Sequence, residues 1–415
     1  MRKINNNDKL MSVDQARKIM LENAKQIIET EKIELKKCEG RVLAEKITAT
    51  FNVPEHHNSA VDGYAFCYKS VEKKIKKLKI IGISCPGKPF RGKLKENEAI
   101  KIYTGAYILD SKNNKIDTVC MEENCNIYGD FLELTKRPKR GGNIRLRGED
   151  IKKNSIAFKK GKKIRSVDLA QLSSLGLKKI KVLKKLKVGI FSSGNELTKS
   201  TYNKKKFEIY DSNKPSLLNL FQKIGCDVYD LGIIQDDLNE SKMKILKYIE
   251  KFDLILTSGG ISKSKMDKIG KTLSEYGKFG FWRLAIKPGR PFAFGMIKGK
   301  PFIGLPGNPV AVIVTFFVLV IDFVKKLSGI KKNEIIERIL PSNFSMKKKV
   351  GRREWLRGSI KIKKNKQVLE KFNTTGSGII SSISQSDGII EIDEKKKNIS
   401  KGTLLKFFRY EDMLN

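Results

Sequence analysis

The chain has 415 residues, 40% hydrophobic and 31% charged, with 33 Gly and only 11 Pro. That length suggests two to four domains with cores large enough to need no disulfide or metal staple, and the composition excludes a collagenous, disordered or membrane-embedded chain. The formal charge is +40, from 85 Lys and Arg against 45 Asp and Glu. The excess is mostly lysine and is spread along the whole chain, so we read it as solvated surface rather than a nucleic-acid groove, whose footprint would cluster on one face.

In chain order, Ser12–Thr30 predicts an amphipathic helix, with Val13, Ala16, Ile19, Met20, Ala24, Ile27 and Ile28 on one stripe and Ser12 as its N-cap, Gln15 following three residues on. Met1–Met20 holds no apolar signal-peptide core, which predicts a cytoplasmic protein. Pro54–Tyr64 reads as a polar loop. Short apolar runs at Lys79–Ile83, Ala99–Tyr103, Thr118–Met121 and Phe131–Leu134 predict strands of a β-rich unit. Gly141–Asp150 reads as a crossing back to the first unit, and Val167–Leu175 as a short helix.

From Leu186 the pattern alternates. Strands are predicted at Leu186–Phe191, Cys226–Ile234, Asp253–Thr257 and Lys300–Leu305. Helices are predicted at Pro215–Ile224, Ser241–Phe252, Ile269–Tyr276 and Pro309–Phe323. Strands alternating with helices imply a parallel sheet. The apolar run Val310–Ile321 is too short for a bilayer and reads as a buried helix. After Gly329, five short strand patterns (Ile335–Leu340, Glu354–Ile362, Gln367–Phe372, Ile389–Ile392 and Leu404–Phe408) suggest a small all-β domain.

The six cysteines form no C-x-x-C pair. Cys120 and Cys125 have a spacing that some zinc sites use, but no second pair exists, and reduced thiols are the stronger reading. The only histidines, His56 and His57, are adjacent, which argues against a Ser-His-Asp hydrolase. Chemistry then falls to carboxylates, cations and backbone amides.

In a parallel sheet ligands bind beyond the carboxyl ends of the strands. Polar segments follow there: Ser192–Glu196, Gln235–Asp237, Ser258-Gly259-Gly260-Ile261-Ser262 and Leu305-Pro306-Gly307-Asn308-Pro309. Glycine amides and a helix N-terminus suit an anion. Glu196, Asp236 and Asp267 lie in or near these loops. Carboxylates beside phosphate-binding amides suggest Mg²⁺ bridging a phosphate; each alone could equally cap a helix. Lys287-Pro288-Gly289-Arg290-Pro291 places two cations on a rigid turn suited to an oxyanion. Outside this segment, Asn58–Ala65 carries Asp62 in a Gly-containing loop, Thr104-Gly105-Ala106 ends a strand, and Arg147–Asp150 is a charged turn. Arg357-Gly358 and Gly376-Ser377-Gly378 add a cation and a hydroxyl.

Taken together, Asn58–Ala65, Thr104–Ala106, Arg147–Ile151, Gly194–Leu197, Asp211–Asn213, Asp236-Asp237, Ser258–Ser262, Lys287–Pro291 and Leu305–Val310 resemble, in order and spacing, the MoeA-type molybdopterin molybdenumtransferases. The resemblance spans about residues 10–385. It implies an α/β fold with β-rich domains. A linker domain takes residues 1–47 and 143–184, and an inserted β-rich domain takes 48–142. A molybdopterin-binding α/β domain takes 185–330, and a C-terminal β-barrel-like domain 331–415. It also implies a homodimer that inserts molybdate into adenylylated molybdopterin with Mg²⁺-dependent release of AMP, with a molybdopterin adenylyltransferase as a possible partner enzyme.

Carried over by motif, Asp62, Glu196, Asp236 and Asp267 are the catalytic carboxylates, the last three also holding Mg²⁺. Thr104, Asp150, Ser258, Gly259, Gly260, Ser262, Pro306, Gly307 and Asn308 bind the organic substrate. Lys287, Arg290, Pro291, Arg357 and Ser377 bind molybdate. Ala311 stands where the family often has serine, Arg290 replaces a lysine, and Lys263-Ser264 departs from the usual loop after Gly-Gly. The alternatives are an adenylyltransferase-like enzyme, which can consist of the α/β domain alone, and a non-catalytic molybdopterin-binding protein.

Overall fold

The computed structural model describes residues 10–72, 77–109, 116–198, 203–235, 238–261, 275–331, 336–374 and 376–414. Three six-stranded sheets dominate it, joined by two-stranded ribbons. No described helix is long and apolar enough to cross a membrane.

The first helix covers Val13–Glu22, and the Ser12 hydroxyl accepts from the Gln15 amide as the cap spacing predicts. It stops well short of Thr30. The Asn23 side chain turns back onto the Ile19 carbonyl, and Ile27 donates its amide to Leu327 instead of continuing the helix. The apolar stripe therefore splits, its second half lying along another helix as extended chain. The next strand, Thr30–Glu34, pairs antiparallel with Lys179–Leu183, so two distant chain segments share one ribbon. Ile47–Thr48 with Ile156–Phe158, and Asn58–Ser59 with Ile144–Arg145, close the same excursion.

Between those ribbons lies a mixed sheet of Thr118–Met121, Gly63–Phe66, Glu98–Ile102, Lys77–Ser84, Phe131–Leu134 and Cys125–Tyr128, in that spatial order. Four of these strands follow the sequence expectation closely. Cys125–Tyr128 does not, because it is an edge strand with mostly exposed side chains and shows no apolar signal.

The α/β sheet runs Asp227–Ile234, Lys187–Ser193, Leu254–Ser258, Lys300–Leu305, Ala293–Ile297 and Gly277–Trp282. The first four are mutually parallel, and the last two are antiparallel additions. The helices Asn213–Lys223 and Leu238–Ile249 match the alternating pattern. The helix expected over Ile269–Tyr276 lies, but for its last two residues, outside the described residues.

The apolar run at Val310 is a buried helix, as its length and composition predict. It extends from Pro309–Thr315 through a π-helical turn, Phe316–Val320, into Ile321–Leu327. A π turn disturbs the carbonyl ladder, and the Arg17 guanidinium of the first helix donates to the Val318 oxygen at 2.8 Å. Arg17 also lies 3.4 Å from Asp322. The core around this helix takes in Phe292, Phe294, Phe316 and Phe323. It extends to Trp355, Ile389 and Met413 of the C-terminal domain, so the two domains share one core.

The C-terminal sheet is built from Arg353–Lys363, Lys366–Lys371, Gly388–Ile392, Leu404–Arg409 and Arg338–Pro341. Ile286–Lys287, from the α/β segment, pairs in parallel with Arg353–Glu354 at its edge.

Candidate active site

The Lys287–Pro291 turn is closed at its base. Leu284 donates to the Arg290 carbonyl at 2.9 Å, Arg283 to that of Phe292 at 3.2 Å, and Arg353 to that of Ala285 at 2.9 Å. Gly289 sits at φ +105°, where a Cβ would lie 2.5 Å from the Thr315 methyl. Only glycine allows the turn to pack this closely on the buried helix. The cations of the turn are thus presented on a fixed backbone.

Beside the turn opens a cavity of about 470 Å³, within the usual range for a small-ligand site. Its walls are Ile286–Pro291, Pro306–Asn308, Ala311, Arg352 and Ser377. The α/β domain thus supplies two loops and the C-terminal domain supplies Arg352 and Ser377. No carboxylate is among these residues. Lys287 Nζ lies 3.4 Å from the buried carboxylate of Glu354 behind the wall. Arg290 and Arg352 make no side-chain hydrogen bond or ion pair among the described residues. Asn308 leaves the helix N-terminus uncapped by its side chain and instead donates to Ser377 Oγ at 2.9 Å, while the Val310 amide donates to the Ser377 carbonyl at 3.2 Å. Uncommitted cations, a hydroxyl and a helix N-terminus together favour a compact, multiply charged oxyanion.

The structure gathers Lys287, Arg290, Pro291, Pro306, Gly307, Asn308 and Ser377 around this cavity. It does not bring Arg357 to it. Arg357 is 2% exposed. Its Nε donates to Ser382 Oγ at 2.9 Å, and its Nη2 lies 3.3 Å from the carbonyl oxygens of Thr374 and Gly376. Burial pushes its guanidinium down, with the Tyr410 phenol acting the other way. Arg357 therefore braces the segment that carries Ser377 from behind. Arg352, which the motif reading did not single out, occupies the wall instead.

The strand ends form a second cluster next to the first. Gly259 stands at φ +87°, donates its amide to the Leu305 carbonyl at 3.1 Å, and packs backbone to backbone against Ser193. Gly307 faces it and accepts from the Asn213 side chain at 2.7 Å. Asp211 takes the Ser192 hydroxyl on one oxygen and the amides of Asn213 and Lys214, each at 3.1 Å, on the other. The hydroxyls of Thr257 and Ser258 and the Asn213 side-chain oxygen are buried without a hydrogen-bond partner among the described residues. Glu196 is exposed at the mouth, against Gly194. Ser262, Asp236 and Asp267 lie outside the described residues. Gly260, at φ +74°, packs against the Ser193 side chain.

Asp62 and Thr104 meet in the β-rich domain. Asp62 Oδ1 accepts from the Thr104 amide at 2.6 Å and its hydroxyl at 2.7 Å, and these bonds hold the Asp62 carboxyl below its ordinary value. Asp150 is exposed in the adjoining turn, its amide on the Val53 carbonyl. Among the described residues no hydrogen bond or ion pair joins these three to the α/β loops of the same chain.

Comparison with known proteins covers the whole chain. Three family models match in order: the MoeA N-terminal region (domain I and II) over residues 11–176, a "Probable molybdopterin binding domain" over 189–326, and the MoeA C-terminal region (domain IV) over 340–408. A molybdopterin molybdenumtransferase of Haemophilus influenzae is 34% identical, over 98% of this chain and all of that protein. The chain belongs to the MoeA-type molybdopterin molybdenumtransferase family. Among solved structures, a molybdopterin biosynthesis moeA protein of Pyrococcus horikoshii superposes with a TM-score of 0.84 at 28% identity, covering 97% of this chain and 100% of that one. Gephyrin of Dictyostelium discoideum is 30% identical over 95% of this chain, which spans 61% of that protein. As a member of this family the chain is a transferase of molybdenum-cofactor synthesis. Ala311 falls on the cavity wall, where it offers no hydroxyl.

Proposed function

We propose that the chain joins molybdate to the dithiolene of adenylylated molybdopterin, that AMP leaves in a Mg²⁺-dependent step, and that it works as a homodimer. The observation that carries this reading is the cavity between the two domains, with Lys287, Arg290, Arg352 and Ser377 on its wall and no carboxylate beside them. Molybdate is a tetrahedral dianion, and positioned cations and a hydroxyl are its natural ligands. The neighbouring strand ends, with glycine amides at Gly259 and Gly307, would hold the phosphates of the organic substrate.

The donors at that mouth fit a hard dication: the Glu196 carboxylate and the orphaned oxygens of Ser258 and Asn213 are all oxygen ligands. Glu196, with Asp236 and Asp267, would hold Mg²⁺, which when bound offsets charge on the phosphoanhydride as AMP departs. Asp62, kept ionised by Thr104, has no hydrogen bond or ion pair to these loops among the described residues of its own chain. A second copy could present it, and the exposed Phe207, Ile209 and Tyr210 near Glu196 offer an apolar surface for that contact. The adenylyltransferase-like alternative fits less well, because two residues of the C-terminal domain form part of the oxyanion wall.

The test is incubation of the protein with Mg²⁺, molybdate and adenylylated molybdopterin. AMP is followed by chromatography and active cofactor by reconstitution of an apo-molybdoenzyme. AMP should appear in step with active cofactor, and both should need Mg²⁺. Consumption of ATP with molybdopterin would point to the adenylyltransferase, and no turnover to a binding protein. Light scattering at micromolar concentration should give the mass of a dimer; a monomer would remove the role assigned to Asp62.

A further inference from the structure

A second and larger cavity, of about 950 Å³, opens far along the fold from the catalytic one, and the two share no lining residue. It is formed where three parts of the chain meet: Glu39-Gly40 with the 157–171 segment, the end of the helix Asn213–Lys223, and the start of the C-terminal domain at Lys331. Its frame is held by backbone bonds. Gly161, at φ +83°, donates to the Leu43 carbonyl at 2.9 Å and accepts from the Lys331 amide at 3.1 Å; Gly40 and Ile164 pair at 2.8 Å.

The side chains on this frame are strongly one-signed. Seven lysines and arginines face two carboxylates. Both carboxylates are already committed. Asp168 takes Lys162 at 3.0 Å and Arg165 at 2.9 Å, and Glu39 takes the Ser166 hydroxyl. That leaves Lys159, Lys160, Lys163, Lys223 and Lys331 with no carboxylate partner among the described residues. Five ammonium groups around one concavity, with no carboxylate partner among the described residues, repel each other and stay together because the backbone holds them. An anion relieves that repulsion and gains several charge-assisted bonds at once. Phe158, the one aromatic on the lining, is buried with Lys162 over its ring at 5.9 Å, so no flat face is available for a nucleobase. A concave site of this size encloses a small ligand, whereas a nucleic-acid duplex needs an extended basic face.

We propose that this cavity is a second anion site, remote from the catalytic one, which takes a small ligand bearing two or more phosphate groups. Because its lysines come from three parts of the fold, the bound ligand also ties them together. The phosphate chain is the recognised element, so inorganic oligophosphate and the triphosphate of a nucleotide are bound alike.

The test is calorimetric titration of the full chain at low ionic strength with inorganic tripolyphosphate, with ATP and with adenosine. Tripolyphosphate and ATP should bind once per chain with similar affinity and adenosine not at all, and tripolyphosphate should raise the thermal midpoint. Lys160→Ala with Lys223→Ala should weaken tripolyphosphate about a hundredfold, at about tenfold per lysine, and Lys160→Arg with Lys223→Arg should keep it. Arg290→Ala with Arg352→Ala should leave the lysine-dependent binding in place, whatever anion uptake the catalytic cavity itself loses. The proposal fails if the lysine pair binds like the parent. It also fails if only the arginine pair loses binding, which would place the anion in the catalytic cavity. Uptake of several anions per chain, insensitive to either pair, would mark diffuse attraction to the overall charge and overturn it as well.

Discussion

The two arginines near the start of the C-terminal sheet should behave oppositely when truncated. Arg352 faces the cavity with no side-chain partner among the described residues, so Arg352→Ala should remove donors to the proposed oxyanion and little else. A charged donor to an anion contributes about 1.5–3 kcal/mol, which at 1.36 kcal/mol per decade raises the molybdate needed for half-maximal rate about tenfold to a hundredfold. The thermal midpoint should hold, because an unpaired wall residue supports nothing behind it. Arg357→Ala removes the 2.9 Å bond to Ser382 and the two 3.3 Å contacts to the Thr374 and Gly376 carbonyls, and empties a site that is 2% exposed. The loss is about 2–4 kcal/mol, partly offset because the buried cation no longer has to be desolvated. Across the two domains that share this core, at about 2–4 °C per kcal/mol, that lowers the midpoint by about 4–16 °C. Initial rates over a molybdate titration at saturating organic substrate, paired with thermal unfolding, separate the two. If Arg357→Ala keeps the parent midpoint and shifts only the molybdate requirement, Arg357 reaches the oxyanion and its assignment as a brace is wrong. If Arg352→Ala changes neither, the oxyanion does not lie on this wall.

Gly289→Ala forces a side chain into a φ of +105° and against Thr315; stability should fall by about 1–3 kcal/mol and the molybdate requirement should rise, both read in the same two assays. Phe316→Ala opens the core beneath the helix Asn213–Lys223, where its ring meets Phe221 edge-on, and should cost about 3–5 kcal/mol in chemical denaturation; a loss below about 1 kcal/mol would show that the core is loosely packed there. Asp168 is buried, which alone would raise its carboxyl, but Arg165 and Lys162 hold it down at about 2, against an ordinary 3.8. A depressed carboxyl stabilises the fold above its unfolded value, so this contribution is full at neutral pH and is lost as pH falls from about 4 to about 2. Arg165 is 67% exposed, so solvent screens much of its share of the pair. Asp168→Asn should lower the thermal midpoint at neutral pH, and the gap to the parent should close as pH falls through about 2.

The parts of the fold that sequence could show are those whose signal is local. Lys300–Leu305 and the buried helix after it follow from an apolar run of the right length beyond a Gly-Asn-Pro turn. The antiparallel edge of the same sheet did not announce itself. Gly277–Trp282 is exposed over its first four residues and interrupted by glycine, so it has neither alternation nor a continuous apolar run. The first helix misled for the opposite reason: Ile27 is partly buried, as its place on the stripe requires, but it packs as extended chain against the end of the buried helix at Leu327, and apolar spacing alone cannot distinguish the two. In the site, the Lys287 and Pro306 loops that the motifs single out do meet at one cavity, because a turn such as Lys-Pro-Gly-Arg-Pro carries its geometry with it. They could not sort Arg352, Arg353 and Arg357, since what separates them is distant in sequence. Asp14 and Glu394 claim Arg353, at 2.8 Å each, and the Thr374–Ser382 segment claims Arg357. Only Arg352 is left for the cavity.

That division also explains how a site spanning two domains can be fixed. The Lys287 turn would be a mobile loop if it belonged to the α/β domain alone. Instead Ile286–Lys287 is a strand of the C-terminal sheet, Trp355 enters the α/β core, and Arg353 ties that sheet to the first helix through Asp14. Each link holds the Lys287 turn at a set distance from Arg352 and Ser377. Preorganised charges do not have to be gathered when the anion arrives, and the free energy that gathering would cost remains available for binding it. The lysine at the turn keeps Glu354 behind it, so the wall carries fewer net charges than a bare count suggests. Arg290 and Arg352 are then the cations that a dianion finds unoccupied, and two such cations match its charge.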